Sequence, residues 1–393
     1  GSANWLTGCW RWPDMRLSRE GISPLPEWGS EQIYFSATQW FSGLQHDIDA
    51  AKHSIYLQTY IFEIDSVGES LLKALCNASQ RGVDVRVIVD GVGSASATDF
   101  LQQVLHGNHA TLHVYHPLPW NWITNRLEQD DWLARFFERI MRMNNRQHSK
   151  LCLIDNSVAW TGSFNITYDH IENNGRGLDW KDCGVRVSGD RCILFNEFFN
   201  AVWNHDINLL SPYFLFHPIT NFSPSLRKRR LRTLLQDIHG ARQRIWIVSA
   251  YFSPIQRIIN ALKKASLRGV DVRIMVPAHS DVGFFPALAS TYYADLLRAG
   301  IHIHEYENGI LHSKHMLIDK TVIVGSSNMN HRSTLHDVEL DIELFSEESR
   351  LIMEKGFLHD LVGCREITLE NLSRFYAWLL AFGRIPRFLR YWL

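Results

Sequence analysis

Short runs of apolar and β-branched residues alternate along this chain with stretches in which leucines recur at helical spacing. Ser54 to Phe62 reads as a strand. Asp65 to Gln80 follows as a helix with Leu71, Leu72 and Leu75 on one side. Arg81-Gly82-Val83-Asp84-Val85-Arg86 then turns the chain into a second strand ending at Asp90. The same order returns later. Arg244 to Phe252 is a strand and Pro254 to Leu267 a helix, and Arg268-Gly269-Val270-Asp271-Val272-Arg273 opens the next strand. A shared string of six residues after matching strands and helices marks an internal duplication. Strand, helix, strand at this spacing implies βαβ units. The expected fold class is therefore α/β, with two pseudo-symmetric domains, each a mixed, mostly parallel sheet flanked by helices.

Between the copies, Asn204 to Ser225 carries Pro212, Pro218 and Pro224 and little periodicity, so it reads as the crossover. The run Arg227-Lys228-Arg229-Arg230-Leu231-Arg232 follows. It suits either a solvated helix face or contact with anionic lipid. The division expected is an N-terminal extension at 1–30, a first domain at 31–215 with an amphipathic insertion at 120–146, a second domain at 216–368 and a C-terminal amphipathic segment at 369–393.

Each copy closes on a chemically dense segment. The first reads His148-Ser149-Lys150, then Asp155, then Gly162-Ser163-Phe164-Asn165. The second reads His312-Ser313-Lys314, then Asp319, then Gly325-Ser326-Ser327-Asn328. Side chains alternate along a strand, so His148 and Lys150 share a face, as do His312 and Lys314. Asp155 and Asp319 have the other parity and read as structural ties. One His-x-Lys pair is a weak signal. Two, each followed by Gly-Ser-x-Asn at the same distance, point to one active site built from both copies.

The residue types suit phosphodiester chemistry. A phosphodiester is a monoanion whose transition state spreads charge over nonbridging oxygens. Lys150 and Lys314, with donors from Ser163, Asn165, Ser326 and Asn328, are placed to clamp those oxygens. One histidine can attack phosphorus. The other can protonate the leaving alkoxide and then deprotonate the incoming alcohol or water. The lysines supply the positive charge, and no acidic cluster suits a metal ion, so no cofactor or metal is expected. Each imidazole needs an acid on its second nitrogen. Glu339 is expected to serve His312 and Asp182 to serve His148, with Asp179, Asp337 and Asp341 as competitors.

Composition narrows the substrate. The net charge of −1 provides no basic field for nucleic acid, and 14 tryptophans suggest rings at a membrane interface or a large pocket. The six cysteines form no metal-binding spacing, which fits reduced thiols. Gly1-Ser2 reads as a cloning scar. No apolar stretch reaches the roughly 18 residues a spanning helix needs, so attachment would be peripheral. Two segments suit it. One holds Trp120, Trp122, Trp132, Phe136 and Phe137 among arginines. The other holds Trp378, Arg384 and Arg387. Packing of either against the body or a twin subunit is the rival reading. Tyr60, Tyr251 and Phe252 at strand ends suit the core or a pocket lining.

These motifs resemble the phospholipase D superfamily, whose mark is a duplicated H-x-K-x4-D. Thr59-Tyr60-Ile61-Phe62, Tyr251-Phe252-Ser253-Pro254, Leu311-His312-Ser313-Lys314, Asn330-His331-Arg332-Ser333 and Trp180-Lys181-Asp182 are similar to its bacterial cardiolipin synthase branch, in the short form without N-terminal transmembrane helices. The resemblance spans roughly residues 30 to 365. It implies two lobes with one active site at their interface. It also implies phosphatidyl transfer from phosphatidylglycerol or phosphatidylethanolamine to the hydroxyl of phosphatidylglycerol, through a phosphohistidine at His148 with His312 as acid and base. The setting implied is the cytoplasmic side of a bacterial inner membrane, with phospholipids as partners, no nucleic acid, and a homo-oligomer as an option. Hydrolysis of phospholipids or of other phosphodiesters uses the same residues, so the motif leaves the acceptor open.

Overall fold

The computed structural model describes residues 27–117, 145–175, 177–215 and 219–372. The first half begins with β1 (Ser30–Tyr34), α1 (Ala37–Ala50), β2 (Ser54–Thr59), α2 (Ser66–Gln80), β3 (Asp84–Asp90), α3 (Thr98–Gly107) and β4 (Thr111–Tyr115). It continues with β5 (Leu151–Ile154), β6 (Val158–Gly162), β7 (Trp180–Lys181), β8 (Gly184–Ser188) and α4 (Ile193–Trp203). The second half begins with α5 (Pro224–Gly240), β9 (Arg244–Val248), α6 (Gln256–Leu267), β10 (Asp271–His279), α7 (Phe285–Ser290), α8 (Tyr293–Leu297) and β11 (His302–Leu311). It ends with β12 (His315–Ile318), β13 (Thr321–Gly325), α9 (His331–Leu335), β14 (Asp341–Leu344), α10 (Glu347–Leu361) and β15 (Cys364–Ile367). The membrane-contact residues expected from sequence, Trp120, Trp122, Trp132, Phe136, Phe137, Trp378, Arg384 and Arg387, lie outside the described residues.

The two sheets have matching strand orders, β1-β8-β6-β5-β2-β3-β4 and β14-β13-β12-β9-β10-β11-β15. Both are mixed, as expected. Parallel pairing is confined, however, to the βαβ strands β2-β3-β4 and β9-β10-β11, and to β7 on β11. Elsewhere the pairs are antiparallel, because each motif strand folds back as a hairpin. The expected excess of parallel strands is corrected on that point.

The duplicated six-residue string has a physical reading. Gly82 and Gly269 sit at φ +92° and +89°, a turn conformation that favours glycine. Arg81 donates to the carbonyls of Ile48 and Ala51, and Arg268 donates to those of Ile238 and Ala241, so each arginine ties off the C-terminus of the first helix of its half, α1 or α5. Asp84 accepts from the Tyr56 hydroxyl and Asp271 from the Trp246 indole. Those rings stack in turn on Phe199 of α4 and Phe357 of α10. Both stacks belong to one buried cluster that draws on Leu153 and Val185 from one half and Leu317 and Val324 from the other. The halves thus share a core.

The space under the first helix differs between halves. Under α1 it is filled by Trp40, Trp160 and Phe164, whose rings pack at 4.9 and 5.1 Å. Under α5 lies a cavity of about 220 Å³ beside Ile323 and Ser327. Arg230 reaches Ser327 Oγ at 2.6 Å and pairs with Asp341. Arg227 bonds the carbonyl of His336. Arg227 and Arg230 of the basic run therefore face inward, while Lys228 and Arg232 are exposed.

Asp155 and Asp319 each sit in the turn just after β5 or β12 and tie backbone there. Asp155 accepts from the backbone N–H groups of Lys52, His53 and Ser54, and Asp319 from those of Arg242, Gln243 and Arg244. Burial pushes Asp155 upward, but the three backbone donors outweigh it and hold the carboxyl below its ordinary value. A depressed folded value means that this stabilisation is present above the unfolded pKa of about 4 and fades as pH falls through the folded one. Asp155→Ala is expected to cost about 1–3 kcal/mol at pH 7 in urea unfolding. Its gap to wild type should close below about pH 4.

Candidate active site

The His-x-Lys tripeptides lie just before the regular strands β5 and β12, rather than inside them as the alternation argument supposed. Each is held by the other half of the chain. Gln147 bridges to Val338, and the His148 N–H donates to the Val338 carbonyl at 2.9 Å. In the mirror arrangement β7 pairs with Ile310 and Leu311, and the His312 N–H donates to the Lys181 carbonyl at 2.9 Å. Val338 and Lys181 immediately precede Glu339 and Asp182. The crossing therefore delivers each acid to the opposite histidine.

His148 Nδ1 lies 3.0 and 3.1 Å from the Glu339 carboxylate. His312 Nδ1 lies 3.0 and 3.3 Å from that of Asp182. This corrects the expected pairing, which kept each acid with the histidine of its own half. The reason is backbone register: strand-like bridges between halves carry the acids across. With Nδ1 donating to a carboxylate, Nε2 of each ring is the reactive nitrogen. It makes no hydrogen bond among the described residues.

Ser163 and Ser326 have a role other than the expected phosphate contact. Ser163 Oγ donates to Asp182 at 2.5 Å, and Ser326 Oγ donates to Glu339. Each hydroxyl has one proton and spends it on the acid of its own half. Asn165 and Asn328 stay available. Their Oδ1 atoms accept from the N–H groups of Ile61 and Tyr251, which leaves the NH₂ ends as donors without a partner among the described residues.

Lys150 Nζ donates to the His148 carbonyl at 2.7 Å, and Lys314 Nζ to the His312 carbonyl. Burial lowers Lys150 to about 7 and Lys314 to about 8, and the charge of Lys314 helps to push Lys150 down. The two ammoniums thus share one site. Burial raises Glu339, but His148 and Lys150 outweigh it and bring the acid to about 2. Asp182 is likewise raised by burial and carried well below its ordinary value by His312 and His170. Both acids are anions throughout the physiological range. Burial lowers His148, partly offset by Glu339, and lowers His312 to about 4 with help from Lys314.

Tyr60 and Tyr251 flank the histidines, with ring centroids 5.1 Å from His148 and 6.4 Å from His312. They line the site, whereas Phe252 is core. Sequence reasoning missed His170. It stands five residues after Asn165, as Ser333 stands after Asn328, so matching offsets in the two copies would have exposed it. His170, Asp182 and His312 bring ligand atoms within 4.8 Å of one another. Asn165 N–H donates to His170 Nε2 at 3.1 Å, so the ring proton is on Nδ1, 2.7 Å from Asp182. A protonated Nδ1 has no lone pair for a metal, and the trio does not suit one in this arrangement.

Residues 44–176 and 234–361 match the family described as cardiolipin synthase, PLD-like domain. The chain belongs to that family. The PLD-like lobes and their phosphatidyltransferase enzymes are thus the frame for this site. Among curated relatives, the cardiolipin synthase of Clostridium perfringens is 28% identical over 361 residues, covering 87% of this chain and 72% of its own. That of Listeria innocua is 27% identical over 365 residues, covering 88% and 72%. Among solved structures, a phosphatidylserine synthase from Haemophilus influenzae superposes with a TM-score of 0.65 at 12% identity, covering 92% of this chain and 95% of its own. That likeness shows the shared fold.

The crossed pairing is checked by NMR titration of the imidazoles. Glu339 raises the pKa of His148, so Glu339→Gln should lower it and leave His312 in place. Asp182→Asn should do the reverse. Each acid moving the histidine of its own half instead would overturn the crossing.

Proposed function

We propose that this member of the cardiolipin synthase family transfers a phosphatidyl group from phosphatidylglycerol or phosphatidylethanolamine to the hydroxyl of phosphatidylglycerol, giving cardiolipin. The observation that carries the chemistry is the pair of Nδ1-anchored histidines, each exposing Nε2 beside a buried lysine. His148 Nε2 attacks phosphorus and forms an N–P bond while the P–O bond to the headgroup breaks. His312 gives its Nε2 proton to the leaving oxygen. It then takes the proton of the acceptor hydroxyl, which attacks phosphorus and breaks the N–P bond. Lys150, Lys314 and the amides of Asn165 and Asn328 neutralise the nonbridging oxygens. Asp155 and Asp319 contribute only through the fold. The order of the histidines follows the superfamily resemblance.

The lipid substrate is supported by the family and its cardiolipin synthase relatives. No helix among the described residues is long and apolar enough to cross a membrane. We place the enzyme peripherally on the cytoplasmic face of a bacterial inner membrane, with segments 120–146 and 369–393 as contacts.

The test is lipid mass spectrometry on phosphatidylglycerol vesicles with and without phosphatidylethanolamine. Cardiolipin should form with wild type and fall at least about 1000-fold with His148→Ala or His312→Ala. Acid-labile phosphate should be trapped on His312→Ala and not on His148→Ala. Phosphatidic acid without cardiolipin would make water the acceptor.

The lysines set the pH response. Their cationic forms are lost as pH rises through about 7 and 8, so the free enzyme clamps a monoanion less well above that range. kcat/KM should therefore decline on the alkaline side, and Lys150→Arg, which stays charged, should extend the plateau upward. A flat profile to pH 9 would remove the lysines from that role.

A further inference from the structure

The two half-sites share one plan, and one of their differences lies at the acids. Ser333 Oγ accepts from the Asn328 N–H at 3.1 Å and donates to Glu339 Oε1 at 2.5 Å. In the other half His170 stands in the same place, with a ring nitrogen toward each partner. Its Nε2 accepts from the Asn165 N–H at 3.1 Å, and its Nδ1 lies 2.7 Å from Asp182 Oδ2. The His170 side chain has no solvent exposure. Because Nε2 accepts from Asn165, the ring proton sits on Nδ1, the nitrogen in contact with the carboxylate.

The surroundings of the two reactive histidines differ accordingly. His312 lies 5.6 Å from the His170 ring and 5.1 Å from Trp180, which itself lies 5.0 Å from His170. His148 has Tyr60 beside it. The charged and titratable groups facing His312 are Lys314 from its own segment, Asp182 and His170 from the segments around β7, and Tyr251 from the end of β9.

We propose that His170 is a positioning residue that makes the two histidines inequivalent, holding Asp182 so that the His312 imidazolium is a stronger acid toward the leaving oxygen than its twin site would make it. The inference rests on the transfer reading above, with His312 as the proton donor. Asp182 shares its negative charge between Ser163, His170 and His312. A carboxylate already in contact with a second imidazole stabilises the His312 imidazolium less. Burial and Lys314 lower the basicity of His312, and His170 adds to that lowering. The incoming phosphodiester monoanion favours the charged ring. The proton then leaves readily for an alkoxide, which is the group that needs it.

The experiment compares two leaving groups in the full chain. Phosphatidylglycerol needs a proton donor, whereas phosphatidyl-p-nitrophenol expels a stable phenolate without one. His170→Ala should lower kcat/KM on phosphatidylglycerol about tenfold and change it less than twofold on the nitrophenyl ester. His170→Gln, which offers one acceptor and one donor in the same place, should restore the alkyl rate. In NMR titration His170→Ala should raise the pKa of His312 and leave that of His148 unmoved. Equal losses on both substrates would mark His170 as merely structural and overturn the proposal. So would no loss on either, or a His312 pKa that stays put. If wild type turns over neither ester, the transfer reading fails by itself, and the titration still decides whether His170 tunes His312.

Discussion

The structure turns on two crossed imidazole–carboxylate pairs. His148 leans on Glu339 and His312 on Asp182, and every one of these groups is largely or wholly buried. Buried charge is tolerated only when partnered, so neither half can complete its own site. Each acid is fixed within its own half by a serine and presented to the other half by a backbone bridge. Docking of the lobes and assembly of the site are therefore one event. The shared core behind the site, with Phe199 and Phe357 stacked on matching strands, supplies the apolar burial that holds the crossing in register.

Burial also sets the electrostatics. Two lysines and two carboxylates occupy one enclosed site, and desolvation draws both ammoniums down toward neutrality. A phosphodiester monoanion bound between the lysines would hold them in their charged form, and burial would strengthen that attraction. The halves then diverge where an exact duplicate would be of least use. Trp40, Trp160 and Phe164 fill one half beneath its first helix, and Arg230 with a cavity stands in the other. At the acids, His170 stands opposite Ser333.

Much of this was legible in the sequence, because duplication repeats local physics. The βαβ units and the glycine turns follow from short-range patterns: periodicity and φ preference. The His-x-Lys pairs were legible for the same reason, since each occupies three consecutive residues. The serines misled. Gly-Ser-x-Asn looks like a run of phosphate donors, yet the hydroxyl protons of Ser163 and Ser326 go to buried acids that are distant in sequence.

By itself, the sequence determined the repeat, the α/β class, the family and the two His-x-Lys pairs. Those properties depend on residue types within a few positions of one another. The tertiary structure alone decided which acid serves which histidine, that Tyr60 and Tyr251 border the site, and that His170 completes one side of it. Such facts depend on strand pairing between segments more than a hundred residues apart, and a linear pattern carries no record of that register.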